Sequence, residues 1–163
     1  MNVVDALKQR HSVRQFKSDP IPADVLNRIL EAANNAPSNC NAQPYKIALA
    51  QGPLIESLRE ELYQKFLHAL KLQNQTLPKQ IFTLATQGGL PDGDFKVAKD
   101  YPGVLLKRRQ ATGFGLYETL GIERHDREGR DAQMARNFQF FDAPTAVFIF
   151  AHESLKEWSV LDA

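Results

Sequence analysis

The sequence predicts a mixed chain in which helices dominate and strands are few. Three observations carry that expectation. Apolar residues recur at helical spacing over much of the 163 residues, most clearly at Leu26, Ile29, Leu30 and Ala33. Only two stretches read as strands, YKIALA (45–50) and TAVFIFA (145–151). Proline, glycine and asparagine clusters separate the periodic segments. With 43% hydrophobic and 24% charged residues, the chain suits one globular domain, residues 1–163, with enough length to bury a core.

The elements follow in order. Asn2 is positioned to cap a first helix, with Asp5 three residues on, and Val3, Ala6 and Leu7 form its apolar face. That helix ends near Arg10 to His11. Ser18 to Pro22 is a breaker cluster, and Pro22 can open the second helix. Asn34-Asn35-Ala36-Pro37 stops it, because proline disfavours helical geometry in the residue before it. After YKIALA, Gly52-Pro53 ends the strand. A long helix from about Leu54 to Gln73 then lines Ile55, Leu58, Leu62, Phe66, Ala69 and Leu70 on one face. Thr86 to Gly103 is rich in glycine and poor in large apolar residues, and reads as a loop or mobile excursion. A helix resumes near Val104 and ends at Gly121, a C-terminal cap glycine. Another covers roughly Asp126 to Asn137. TAVFIFA has the near-continuous apolar pattern of a strand covered on both faces, so it needs neighbours.

Several function classes lose ground on composition. The net charge is +1, without the basic excess of a nucleic-acid binder. No apolar run is long enough to span a bilayer, and the N-terminus lacks the pattern of a signal peptide. Cys40 is the one cysteine, which fits a reducing cytoplasm. His11, His68, His125 and His152 are scattered, so no metal site is expected.

Two stretches concentrate polar chemistry. RHSVR (Arg10 to Arg14) places two guanidiniums four residues apart, on one side of the chain in helical or extended backbone. Arginine forks match phosphate oxygens, and Ser12 adds a hydroxyl. A solvated helix end, where basic residues meet the dipole, is the competing explanation. PSNCNAQP (Pro37 to Pro44) offers serine, two asparagines and a glutamine between prolines. Amides donate and accept, which suits a heterocycle; a polar turn explains the same composition. Cys40 has no neighbour that lowers its pKa, so it reads as a small packing residue. Lys107-Arg108-Arg109 reads as a solvated helix start, and Phe138, Phe140, Phe141 and Phe148 as core or interface aromatics.

Together these stretches resemble the nitroreductase family of flavin enzymes. The resemblance lies in Arg-x-Ser-x-Arg-x-Phe (Arg10, Ser12, Arg14, Phe16), the run LEAANNAPSNCNAQP, and the later YPGVLLKRRQATGFGLYETLGI and RNFQFFDAPTAVFIFA. It implies an α+β fold, with helices around a small, mainly antiparallel sheet. It implies a homodimer with FMN at the subunit interface. Arg10, His11, Ser12 and Arg14 then hold the phosphate, ribityl chain and ring edge, while Pro37, Ser38, Asn39 and Asn41 approach from the partner subunit. NAD(P)H is the implied electron donor, and a nitroaromatic, quinone or related small molecule the acceptor. That chemistry is the cofactor's, so no catalytic side chain is assigned. The segment between Thr86 and Lys107 is expected to shape the mouth of the site.

In the family, a segment like WSVLDA leads into a long central helix, further strands and a C-terminal arm. On this resemblance the fold lacks that C-terminal helix and those strands, and TAVFIFA is expected to show an unpaired edge and exposed apolar side chains. Two other functions therefore stand beside the first: a relative using flavin for reductive dehalogenation or flavin cleavage, and a non-catalytic remnant that dimerises or binds flavin without turnover.

Overall fold

Helix α1 (Val3–Gln9) starts where Asn2 caps it: the Asn2 Oδ1 accepts the Asp5 amide at 2.9 Å. The computed structural model describes residues 2–87, 100–155 and 157–162. Its contacts divide into two compact units, residues 1–59 with 140–163, and residues 60–139.

In the first unit, α1 is followed by an irregular segment and then α2 (Ala23–Ala33). Leu26 of α2 is buried, whereas Ile29 is 54% exposed. The inward face is therefore narrower than the i, i+3, i+4, i+7 pattern suggested. Val3 and Leu7, expected as a covered face of α1, are also exposed. Strands β1 (Tyr45–Gln51) and β2 (Thr145–Ala151) form a two-stranded antiparallel sheet, with Ile47 opposite Ile149 and Gln51 opposite Thr145. Side chains alternate between faces along each strand, so Tyr45, Ile47, Leu49, Val147 and Ile149 share one face. Ala50, on the other face, is buried, as is Ile55 in the first turn of α3 (Pro53–Gln73).

The expectation that β2 is covered on both faces is overturned. Val147, Ile149 and Phe150 are 50%, 51% and 58% exposed. In a two-stranded sheet each strand has a free edge, and no described element shields these side chains. The exposed apolar strand expected from the resemblance is what the structure shows.

The second unit holds the rest of α3, α4 (Leu77–Gln87), α5 (Gly103–Thr119) and α6 (Arg127–Phe138). Leu72 and Ala135 are its buried apolar residues, and the Phe66 and Phe138 rings stack at 4.7 Å. Asp126 caps α6, accepting the Gly129 amide. Gly121 (φ 68°) ends α5: its amide bonds Glu118 O and the Ile122 amide bonds Tyr117 O, the paired closure that left-handed glycine permits. Lys107, Arg108 and Arg109 are exposed on α5 as expected, and Arg109 lies over the Tyr101 ring at 4.9 Å. On α3, the Lys65 ammonium at 2.7 Å holds the exposed Glu61 carboxyl below the usual carboxylate range.

Helix α4 is absent from the sequence reading, and Thr86 and Gln87, assigned there to a loop, are its last residues. Its Leu77, Ile81 and Leu84 do recur at helical spacing, but all three are exposed, so no buried stripe marks the helix. Most of the expected 86–103 excursion, residues 88–99, lies outside the described residues. A short α7 (Glu157–Asp162) completes the element order. No described helix is long and apolar enough to cross a membrane.

Candidate functional site

Both polar stretches lie in the first unit. Helix α1 stops at Gln9 and Arg10 turns to extended backbone (φ −61°, ψ 127°), so the helical alternative for RHSVR is excluded. From Arg10 to Lys17 the chain has neither helix nor strand, and Arg10, His11, Ser12 and Arg14 are all exposed. The His11 ring Nδ1 lies 2.9 Å from the Gln9 carbonyl oxygen. A carbonyl only accepts, so Nδ1 carries a proton in this contact and Nε2 is left for another partner. Among the described residues neither Arg10 nor Arg14 makes an ion pair. Arg10, Ser12 and Arg14 thus lie within five residues of one exposed segment.

The second stretch is a tight loop. Pro37 is exposed and Ser38 half-buried. The Ser38 Oγ accepts the Gln43 amide at 2.9 Å, and its carbonyl accepts the Asn41 amide at 3.0 Å. Asn39 donates its amide to Asp162 Oδ2 at 3.1 Å, which ties the loop to the end of α7. Cys40, Asn41 and Gln43 adopt φ of 53°, 54° and 47°. Asparagine tolerates left-handed backbone, but cysteine gains nothing from it.

Cys40 is exposed, so its reading as a packing residue is wrong; the left-handed turn aims its side chain at solvent. Cys40→Gly is expected to stabilise the chain by about 0.5–1 kcal/mol, since glycine accepts this φ without a Cβ penalty. The thiol's one partner among the described residues is Asn39 Oδ1 at 3.6 Å. Urea denaturation checks the expectation, and a lower midpoint would show that this contact outweighs the backbone strain.

No hydrogen bond or ion pair joins Arg10–Arg14 to Pro37–Asn41 among the described residues. Two clefts of the first unit are lined by none of the eight candidate residues: one lies beside Leu30, Tyr45 and Ile47, the other beside Pro44, Lys46 and His152. The chain thus presents two separate donor-bearing surfaces. Two guanidiniums without carboxylate partners, beside a hydroxyl, are a donor set suited to a phosphate such as that of FMN. Asp162, which holds the Asn39 amide, escaped the sequence reading; a contact spanning that much chain leaves no local pattern.

Residues 7–163 match the Nitroreductase family, and the chain belongs to it. It is 29% identical over 145 residues to nitroreductase NfnB of Mycolicibacterium smegmatis, covering 89% of this chain and 54% of that protein. It is 27% identical to a 4-nitrobenzoate reductase of Nocardioides sp., covering 96% of this chain and 58% of that protein. Among solved structures, the FMN- and NADPH-dependent nitroreductase NfnB of Sphigopyxis sp. strain HMH superposes with a TM-score of 0.78 at 26% identity, covering 99% of this chain and 65% of that one. The FMN-dependent NfnB of Mycobacterium smegmatis in complex with NADPH gives a TM-score of 0.72 at 25% identity, covering 99% of this chain and 66% of that one. The chain spans a little over half the length of these curated relatives.

Proposed function

We propose that this chain acts as an FMN-dependent NAD(P)H oxidoreductase on nitroaromatics, quinones or related small acceptors, and that it does so as a cytoplasmic homodimer. The observation that carries this reading is the Arg10-x-Ser12-x-Arg14 segment, outside helix and strand, exposed and without carboxylate partners among the described residues, in a chain of this family. FMN, when bound, supplies the redox chemistry, with NAD(P)H and acceptor using one pocket in turn. Arg10 and Arg14 neutralise the phosphate, and Ser12 adds a donor. His11 offers Nε2 to a ribityl hydroxyl. The side-chain amides of Asn39 and Asn41, with Pro37 and the Ser38 hydroxyl, would meet the ring from the partner subunit. The separation of the two stretches in one chain supports a site built from two copies. No side chain is required as nucleophile or general base, so the protein's part is to bind, orient and shield.

The test is a visible absorption spectrum of the purified chain with added FMN, followed by NADPH oxidation with nitrofurazone or menadione. Stoichiometric flavin bands and acceptor-dependent turnover are expected. Flavin uptake without turnover would replace this reading with the non-catalytic one. Failure to take up FMN would remove the flavin site itself.

A further inference from the structure

Two aromatic residues in succession hold left-handed backbone just before β2. Phe140, Phe141 and Asp142 have φ of 54°, 52° and 65°. An aspartate tolerates that region, but a phenylalanine is placed there only when its surroundings compel it. Four contacts supply the compulsion. The Ala143 amide closes the turn onto Phe140 O at 3.0 Å. The Phe140 ring meets the Phe148 ring of β2 edge-on, centroids 6.0 Å apart. Arg59 of α3, its side chain only 18% exposed, donates Nη2 to Ala143 O at 2.9 Å. The fourth contact reaches back along the chain: the Phe16 amide donates to Phe141 O at 3.2 Å.

That last bond lies two residues beyond Arg14. Between His11 and Pro20 it is the one main-chain hydrogen bond among the described residues. The direction of the Phe141 carbonyl depends on the left-handed turn, since a right-handed turn would aim it elsewhere. A tether at this point removes conformations that Arg14 would otherwise lose on gripping an anion.

We infer that the Phe140–Asp142 turn is a brace that pre-orders the Arg10–Arg14 segment for its anion, with Phe16 and Arg59 as positioning residues. This rests on the flavin reading above. No local pattern marks it, because the carbonyl acts through backbone geometry and Arg59 looks like any surface arginine of a long helix.

Phe16→Pro removes the tethering N–H and favours extended backbone at the residue before it. Phe16→Leu keeps the N–H and a similar side chain. Dissociation constants of FMN and riboflavin are measured for each full-length variant by flavin fluorescence quenching. Phe16→Leu is expected to match the parent with both ligands. Phe16→Pro is expected to bind FMN about tenfold more weakly and riboflavin only about two- to threefold, because both ligands meet His11 but only FMN carries the phosphate that Arg10 and Arg14 hold. Equal weakening of both ligands, or no weakening of FMN, overturns the brace. Should Phe16→Pro fail to fold, Arg59→Met provides the same comparison, with the same selective loss expected and an unselective one overturning the inference. A parent chain that binds neither flavin overturns the flavin reading and the brace together; a parent that binds FMN beside unaltered variants overturns the brace alone.

Discussion

Arg14→Ala is expected to weaken FMN binding by roughly 10- to 100-fold, the range of a lost charge-assisted hydrogen bond to a phosphate. The guanidinium has no carboxylate to satisfy in the described structure, so its removal leaves no buried group orphaned and the fold should stand. The loss should appear in FMN affinity and shrink as salt rises, since added ions already screen the exposed pair. Arg14→Lys should recover part of the affinity, because an ammonium restores the charge but not the planar fork. Isothermal titration with FMN at two salt concentrations reads all of this. An unchanged dissociation constant in Arg14→Ala would remove Arg14 from the site.

Ile55→Ala carries the second large expectation, in stability. Ile55 is 1% exposed and is the largest fully buried side chain of the described residues. Truncating such a residue costs about 2–5 kcal/mol, from lost transfer energy and the cavity left behind. The buried apolar set is small: Leu26, Ala50 and Ile55 in the first unit, Leu72 and Ala135 in the second. Domains are stable by only about 5–15 kcal/mol, so that loss would take a large share of the total. Ile55→Val should cost about 0.5–1.5 kcal/mol in the same urea titration. A cost below about 1 kcal/mol for alanine would mean that the start of α3 is not anchored as described.

Local chemistry was legible in the sequence wherever neighbours in the chain decide the outcome. Asn2 caps its helix because an N-cap bond spans three residues, and the helix that begins beside Asp126 was placed within a residue. Gly121 ends α5 because left-handed closure needs only the last turn. The long α3 was legible because its apolar residues recur along one face. Helix α4 was overlooked although Leu77, Ile81 and Leu84 recur at helical spacing, because the repeat is short and runs into the glycine-rich stretch that follows. The coverage of β2 was misread for a different reason. An apolar run such as TAVFIFA records what the strand is suited to lie against, not whether a neighbour is there.

The candidate site divides in the same way. Residue types and spacing were enough to single out Arg10, Ser12, Arg14 and the Pro37–Asn41 loop as a donor-rich pair of motifs. They could not say whether Arg10 remains helical; the structure shows extended backbone there. Nor could they foresee that Cys40 would face solvent, that Asp162 would hold the Asn39 amide, or that Phe16 would bond to Phe141 across 125 positions of sequence. Caps, turns and helical periodicity are set by interactions within a few residues, so the sequence by itself determined them. Exposure, loop tethering and the left-handed turn at Phe140–Asp142 depend on contacts between distant segments, whose closure no local pattern encodes, and these only the tertiary structure decided.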